Sequence, residues 1–177
     1  MAPVIYEKTI YTIGHSTRTL EEFLNILKSF QIKALADVRN FPGSKRYPHF
    51  NKEILKTSLA NNEIKYLHLK QLGGRKKAIE YSKNTAWRNT AFRGYADHMQ
   101  TEEFTTGINI LEKLSSSERT AFMCSEAVWW RCHRSLISDF LKVEGWDVKH
   151  IMAFGKAEVH PFTSPSKIVN GKLSYEE

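Results

Sequence analysis

Several features of common protein classes are missing from this sequence. No apolar run approaches the roughly 20 residues that span a bilayer, and residues 1–8 have no signal-peptide pattern. Only two cysteines occur in 177 residues, which is too few for a disulfide-stabilised secreted scaffold and is typical of free thiols. We therefore expect a cytoplasmic protein that has no membrane partner.

The common cofactor and metal motifs are also missing. There is no Walker A motif, and Gly14 alone does not make a dinucleotide fingerprint. Cys124 and Cys132 do not have a zinc-ligand spacing, and the arginine that a phosphatase loop needs six residues after its cysteine is replaced by Trp130. We predict no metal site, and the sequence leaves the cofactor and the reaction open.

The charge of the chain points to an anionic partner. The formal net charge is +7 and the isoelectric point is about 9.4, which suits phosphates, nucleotides or nucleic acid. A basic solvated surface explains the same numbers. Basic residues are spread along the chain, and the one dense cluster is Arg75-Lys76-Lys77.

The hydrophobic pattern alternates between strands and helices. Strands are predicted at residues 8–13, 34–38, 64–69, 121–124 and 148–152, and the main helices start near Thr19, Thr101 and Ala127. This order predicts a single α/β domain over residues 1–177, a Rossmann-like three-layer sandwich with a mostly parallel sheet of about five strands. Strand one is expected at its centre with strand four beside it. Residues 79–99 interrupt the alternation and predict a helical cap or lid, and Asn170-Gly171 predicts a hairpin.

Cys124 is the leading candidate for chemistry. The pattern places it where strand four ends and a helix over residues 127–142 begins, and a helix N-terminus lowers a thiol pKa. Ser125 is then the helix cap, and Glu126 or His15 is the candidate to move protons. The competing interpretation is a packed, unreactive thiol, because free cysteine is among the most buried residues.

The same helix assignment separates the residues of Cys132-His133-Arg134. At about 100° per residue, Cys132 and Arg134 fall roughly 160° apart, so the tripeptide is not expected to act as one cluster. His133 lies near the centre of the apolar face and is expected in the core. A disulfide between the two cysteines is disfavoured, because their Cα atoms must come within about 7 Å across a strand–helix corner.

Polar residues at the other strand ends complete the predicted site. Ser16 follows strand one, and Asp37 and Arg39 follow strand two. Because ligands bind at the carboxyl ends of parallel strands, we expect these three and Cys124 to line one crevice. A plain turn at Ser16 and a structural ion pair between Asp37 and Arg39 are the alternatives.

The 79–99 segment carries three further candidates, Arg93, Tyr95 and Asp97. On a lid, an aromatic ring can stack on a base and an arginine can bind a phosphate. Gly94 beside Arg93 is consistent with such movement. The alternatives are an amphipathic turn that fills a gap and, for Arg93, an ion pair with a buried carboxylate.

Taken together, these segments resemble the domain of unknown function 488 family. The resemblance rests on Thr12-Ile-Gly-His-Ser16, Asp37-Val-Arg39, Leu72-Gly-Gly74, Phe92-Arg-Gly-Tyr-Ala-Asp97, Cys124-Ser-Glu126 and Cys132-His-Arg134. It implies a small α/β protein with no assigned reaction. It also implies that one site contains Ser16, Asp37, Arg39, Arg93, Cys124, Glu126 and Arg134.

These observations predict an enzyme that acts on an anionic, phosphate-bearing small molecule or nucleotide through Cys124. Arg39 and Arg93 are expected to orient the anion by forked hydrogen bonds. The alternative is a noncatalytic nucleic-acid-binding protein that uses Arg75-Lys76-Lys77 and exposed aromatic residues.

Overall fold

A computed structural model describes residues 7–177, so most of the segment examined for a signal peptide lies outside it. Six strands form the main sheet, in the order β3-β2-β4-β1-β5-β6. Their bounds are β1 Thr9–Gly14, β2 Ala34–Asp37, β3 Lys65–His68, β4 Thr120–Cys124, β5 Asp147–Ala153 and β6 Lys156–Val159. The first five are parallel. β1 lies beside β4 as predicted, and β5 pairs with its other side.

β6 adds an antiparallel edge strand to the five that the sequence predicts. It follows β5 through Phe154-Gly155, where Gly155 takes a φ of 64°. All four of its side chains are exposed. The strand is only four residues long and buries none of its side chains, so its sequence gives a weak signal, which is why the pattern missed it.

Five helices cover the two faces of the sheet. They are α1 Leu20–Ser29, α2 Lys52–Ala60, α3 Thr90–His98, α4 Glu102–Ser117 and α5 Arg134–Val143. One apolar core joins alternate strand residues to α1 and α2, and the other joins the opposite face to α3, α4 and α5. This confirms the Rossmann-like sandwich. Within residues 7–177, no helix combines the length and apolarity needed to cross a bilayer.

The helix predicted over residues 127–142 starts later than expected. α5 begins at Arg134, and the chain before it forms a loop with one 3-10 turn, Trp129–Arg131. Tertiary contacts hold this loop away from helical geometry. The Trp129 ring stacks on His150 of β5 at 4.5 Å, and its indole N–H donates to Glu158 of β6 at 2.8 Å. The start of α5 therefore lies beside Cys132, and not beside Cys124.

The 79–99 segment contains a loop and then α3. The buried Asp97 carboxylate holds the loop by accepting hydrogen bonds from the Ile79 N–H at 2.9 Å, the Ser82 hydroxyl at 2.5 Å and the Asn84 amide at 2.7 Å. Gly94 allows α3 to pack closely against the backbone of Lys76 and Lys77, and it is not a hinge. A Cβ there would lie 2.3 Å from the Lys76 carbonyl oxygen.

A C-terminal hairpin completes the fold. β7 Lys167–Val169 and β8 Lys172–Ser174 pair across Asn170-Gly171, as predicted, and both turn residues have positive φ, the geometry that Asn-Gly favours. The Tyr175 hydroxyl that follows donates to the buried Asp139 carboxylate of α5 at 2.7 Å. The end of the chain is thereby fixed to the core.

Asp97→Ala should lower the free energy of unfolding by about 1.5–3 kcal/mol, because the change removes a charged acceptor from three buried or partly buried donors. Chemical denaturation of the reduced protein measures the loss. Asp147→Ala is the matched control. The Asp147 side chain is 46% exposed and pairs only with Lys149, so its loss should cost less than about 0.5 kcal/mol. Equal effects from the two changes would contradict the structural role of Asp97.

Candidate functional site

A cleft of about 680 Å³ opens at the carboxyl end of the sheet. Its walls come from the segments that follow β1, β2 and β4, from α3 and from the loop before α5. The predicted site residues that line it are His15, Ser16, Arg39, Tyr95, Cys124 and Glu126. Other lining residues, which were not predicted to share this site with Cys124, include Arg75, Arg131, Cys132 and His133.

Two free thiols lie together at this cleft. The Sγ atoms of Cys124 and Cys132 are 2.7 Å apart, and both side chains are buried. Both cysteines are free, as expected, but the strand–helix corner does not keep their side chains apart, which was the reason given against a disulfide. Because α5 starts only at Arg134, the residues between the two cysteines form a loop that returns Cys132 to the end of β4.

Arg134 lies against the thiols and is fully enclosed. Its Nε–H donates to Cys124 Sγ at 3.0 Å, and its backbone N–H lies 3.4 Å from Cys132 Sγ. The remaining guanidinium nitrogens donate to Thr12 Oγ1 at 3.0 Å and to the Glu126 carbonyl at 2.8 Å. Cys132 and Arg134 therefore belong to one cluster, contrary to the helix rotation argument, which assumed a continuous helix through both residues.

Arg134 has an unusual environment for a buried cation. Only 1% of the side chain is exposed, yet within residues 7–177 no carboxylate forms an ion pair with it. A guanidinium remains charged in proteins, and an unpaired buried charge is strongly unfavourable. Among the described residues, 7–177, the thiols are the only ionisable side chains to which Arg134 donates a hydrogen bond. Their negative charge also raises the pKa of Arg134 against the opposing effect of burial. One thiolate is therefore the natural counter-charge.

The thiolate is best placed on Cys132. Burial alone raises its pKa, but the hydrogen bond from Cys124 and the charge of Arg134 outweigh burial and lower the pKa to about 7. Its sulfur also faces the backbone N–H of Arg134 at the start of α5, where the helix dipole favours an anion. Burial raises the pKa of Cys124 well above its ordinary value, and the hydrogen bond to Cys132 adds to this effect. From the sequence, Cys124 was expected to be the more reactive thiol.

His133 is placed to exchange a proton with Cys132. Its Nε2 lies 2.9 Å from the Val38 carbonyl oxygen. Because a carbonyl only accepts, Nε2 carries the proton, and the lone pair of Nδ1 faces Cys132 Sγ at 3.5 Å. Burial lowers the pKa of His133. The Tyr95 ring packs on the imidazole with a centroid distance of 5.0 Å, while the Tyr95 hydroxyl donates to the Leu72 carbonyl. His133 is thus a cleft residue and not only a core residue.

A buried chain of hydrogen bonds continues behind Arg134. Thr12 Oγ1, which accepts from Arg134, lies 2.6 Å from His150 Nδ1. His150 Nε2 lies 2.8 Å from His160 Nδ1, and His160 Nε2 lies 2.8 Å from Asp139 Oδ1. All five side chains are at most 1% exposed.

The two ends of this chain determine the direction of every hydrogen bond in it. The Asp139 carboxylate only accepts, so His160 carries its proton on Nε2 and accepts at Nδ1. His150 then donates from Nε2 and accepts at Nδ1 from the Thr12 hydroxyl. Burial, with smaller effects from His160 and Arg134, lowers the pKa of His150 and keeps it neutral. The Thr12 oxygen is thus oriented to receive the Arg134 N–H.

The Asp37–Arg39 pair supports the opposite wall of the cleft. Arg39 donates to both Asp37 oxygens, at 2.9 and 2.7 Å, and to the Phe50 carbonyl at 2.8 Å. The Tyr66 hydroxyl donates to Asp37 at 2.6 Å. Asp37 is fully buried behind Arg39 and does not line the cleft. Arg39 does line it, with Nη1 directed towards His15 Nε2 at 3.4 Å.

His15 is neutral, and contacts with neighbouring residues hold its ring in place. Burial lowers its pKa to about 4, the hydrogen bond with the Ser16 carbonyl opposes this effect, and the charge of Arg39 adds to it. The ring stacks on Phe50 at 4.3 Å. Ser16 follows with a φ of 51°, and its backbone N–H donates to the Ser125 carbonyl at 3.0 Å. These contacts join the loops after β1 and β4.

Three predicted site residues differ from the expected site in their position or their contacts. Glu126 lines the cleft with an exposed side chain, while its carbonyl binds Arg134. Arg93 is not among the lining residues, and its Nε–H donates to the Trp87 carbonyl at 2.9 Å. Asp97 binds the 79–84 loop and is likewise outside the cleft. Glu126 therefore shares the cleft with Cys124, whereas Arg93 and Asp97 do not line it.

Comparison with known families identifies the family of this chain. The sequence profile described as "Domain of unknown function DUF488" matches residues 19–141, which is more than half of the chain. The chain belongs to the DUF488 family. No curated protein and no solved structure matches the chain. The DUF488 match includes both cysteines and Arg134, whereas Thr12, His150 and His160 lie outside it.

Thr12→Val should raise the pKa of the thiol pair in this DUF488 protein. The change removes the acceptor for Arg134 Nη1, so the guanidinium is no longer held against the sulfurs. The midpoint of the pH dependence of iodoacetamide alkylation should move from about 7 towards the ordinary thiol value of about 8.5. Thr12→Ser keeps the hydroxyl and is the matched control, with an expected midpoint close to that of the unchanged protein. An identical midpoint for valine and serine would show that Thr12 does not position Arg134.

Proposed function

We propose that this DUF488 protein is an enzyme that acts on an anionic, phosphate-bearing small molecule or nucleotide, with the Cys124–Cys132 pair supplying the nucleophile. The observation that carries this proposal is the buried Arg134, whose guanidinium donates to Cys124 Sγ and whose backbone N–H donates to Cys132 Sγ, while no carboxylate within residues 7–177 pairs with it. A stable protein gains little from burying such a group unless a thiolate is useful.

In this proposal Cys132 is the nucleophile and Cys124 stabilises it. The Cys124 thiol donates a hydrogen bond to the Cys132 thiolate, and Arg134 balances the charge. His133 Nδ1 lies close enough to take the Cys132 proton when the thiolate forms or to return it afterwards. Glu126 and His15 are less suited to this task, because the Glu126 side chain is exposed and His15 Nε2 faces Arg39.

The charge around the cleft supports an anionic substrate. Arg75 and Arg131 line it with exposed side chains, and neither forms an ion pair within residues 7–177. The charge of Arg39 is balanced by Asp37, but Arg39 Nη1 is directed towards His15, which lines the cleft. In the described part of the chain, Glu126 is the one carboxylate among the lining residues. Two unpaired arginines in a concave site attract phosphate or carboxylate groups.

Cys132→Ser should slow iodoacetamide alkylation at pH 7 by roughly tenfold, because a thiol with an ordinary pKa is only a few per cent ionised there. Cys124→Ser should leave a reactive Cys132, with a rate that falls as the pH drops through about 7. Rates are measured by mass spectrometry of the folded proteins, and denatured samples control for reagent access. Faster labelling of the Cys132→Ser protein than of the Cys124→Ser protein would contradict the assignment.

A melting screen over inorganic phosphate, nucleotides and sugar phosphates tests the substrate class. A compound bound in the cleft should raise the unfolding midpoint and slow alkylation of Cys132. Arg131→Ala should weaken that binding by roughly tenfold or more, the value of one charge-assisted hydrogen bond. Arg88→Ala is the matched control, since Arg88 is exposed and outside the cleft.

The screen has two results that would reject the proposed substrate class. In one, no anionic compound both raises the midpoint and protects Cys132. In the other, Arg131→Ala and Arg88→Ala weaken binding equally, which would indicate a general attraction to a basic surface. A steep loss of binding with added salt for DNA or RNA, without protection of Cys132, would favour the nucleic-acid-binding alternative.

A further inference from the structure

The second thiol is not needed as a nucleophile in the proposed reaction. A single cysteine is sufficient for covalent catalysis, and a hydroxyl at position 124 can also donate a hydrogen bond to a neighbouring thiolate. Yet Cys124 places a sulfur, not an oxygen, 2.7 Å from Cys132 Sγ at the cleft. Sulfur at this position allows a reaction that a hydroxyl does not.

We infer that Cys124 and Cys132 form a dithiol that exchanges with low-molecular-weight organic disulfides and closes reversibly into an intramolecular disulfide. This inference rests on the proposed Cys132 thiolate. It goes beyond the proposed function, because the partner is a disulfide and the product is an oxidised protein.

The backbone already brings the two sulfurs together. Cys124 is the last residue of β4, which β1 and β2 hold on both sides. Cys132 lies two residues before α5 in extended backbone, with φ −136° and ψ 152°. The sulfurs need to approach only from 2.7 Å to the about 2.05 Å of an S–S bond. No rearrangement of the sheet or of α5 is required.

The exchange has two steps, and each one balances. First, the Cys132 thiolate attacks one sulfur of the organic disulfide RSSR, so that a Cys132–SR bond forms and one thiolate RS⁻ leaves. Second, Cys124 passes its proton to the departed thiolate and attacks Cys132 Sγ, which releases a second RS⁻ that takes a proton from water. The protein thiols are oxidised to a disulfide, and RSSR is reduced to two RSH molecules.

The position of Arg134 makes this disulfide easy to reduce. In the reduced protein the thiolate balances the buried guanidinium, whereas a neutral disulfide leaves Arg134 without a counter-charge. A dithiol whose reduced form is stabilised in this way has an oxidising disulfide. A thiol such as glutathione should therefore reduce it again. Anionic disulfides suit the cleft, because Arg75 and Arg131 line its walls.

Glutathione disulfide is the probe for the test, which uses the full chain and two variants. The unchanged protein, Cys124→Ser and Cys132→Ser are incubated with it at neutral pH and analysed by intact-mass spectrometry without reductant. The unchanged protein should lose two hydrogens and retain no glutathione. Cys124→Ser should retain one glutathione on Cys132, because no resolving thiol remains, and Cys132→Ser should be modified at least tenfold more slowly. Reduced glutathione should then restore both thiols of the unchanged protein.

Each other result overturns a defined part of the account. An unchanged protein that retains glutathione shows that the pair does not close, and one that resists reduction by glutathione shows that closure is not reversible. Either result rejects this inference but leaves the proposed Cys132 thiolate untouched. If Cys124→Ser reacts readily with iodoacetamide but not with glutathione disulfide, the inference also fails. If Cys124→Ser reacts with neither reagent faster than Cys132→Ser does, the thiolate of the proposed function itself is wrong.

Discussion

The charge of Arg134 constrains the whole carboxyl end of the sheet. A guanidinium that is 1% exposed has to be balanced and hydrogen-bonded on every side. Thr12 on β1, Cys124 on β4 and the Glu126 carbonyl together bind its three nitrogens. These contacts connect two central strands to the start of α5. They also require close backbone approach, since a Cβ on Gly14 would lie 1.6 Å from the Glu126 oxygen.

This constraint extends from the site to the end of the chain. The hydrogen bonds from Thr12 through His150 and His160 end at Asp139 on α5. Asp139 also accepts from the hydroxyl of Tyr175, which follows the C-terminal hairpin. The cation and the carboxylate thus lie at opposite ends of one buried chain with the two imidazoles between them. Asp139 therefore orients the hydrogen bonds of Arg134 without cancelling its charge locally, and the thiols remain its nearest counter-charge.

Much of the fold was predictable because it follows from short-range patterns. The parallel strands show as apolar runs. Of the four residues expected in one crevice at the strand carboxyl ends, Ser16, Arg39 and Cys124 line the cleft, and Asp37 lies behind Arg39. The start of α5 was not predictable. It depends on Trp129 stacking on His150, a contact between residues on different elements. The separation of Cys132 from Arg134, which was inferred from a continuous helix, then failed. The Thr12–Asp139 chain joins β1, β5 and α5, and no local spacing reveals it.

The 79–99 segment was correctly expected to contain a helix, but Asp97 binds the loop before that helix and does not line the cleft.

The most direct test of the account counts thiolates in the reduced, unmodified protein. The ultraviolet absorbance of thiolate, followed against pH, reports ionisation without any reagent entering the cleft. The account predicts one thiolate per chain appearing with a midpoint of about 7, while the second thiol stays protonated until well above the ordinary thiol pKa of about 8.5. No thiolate absorbance below that ordinary value would mean that Arg134 is buried without an anionic partner. That result would contradict the central claim.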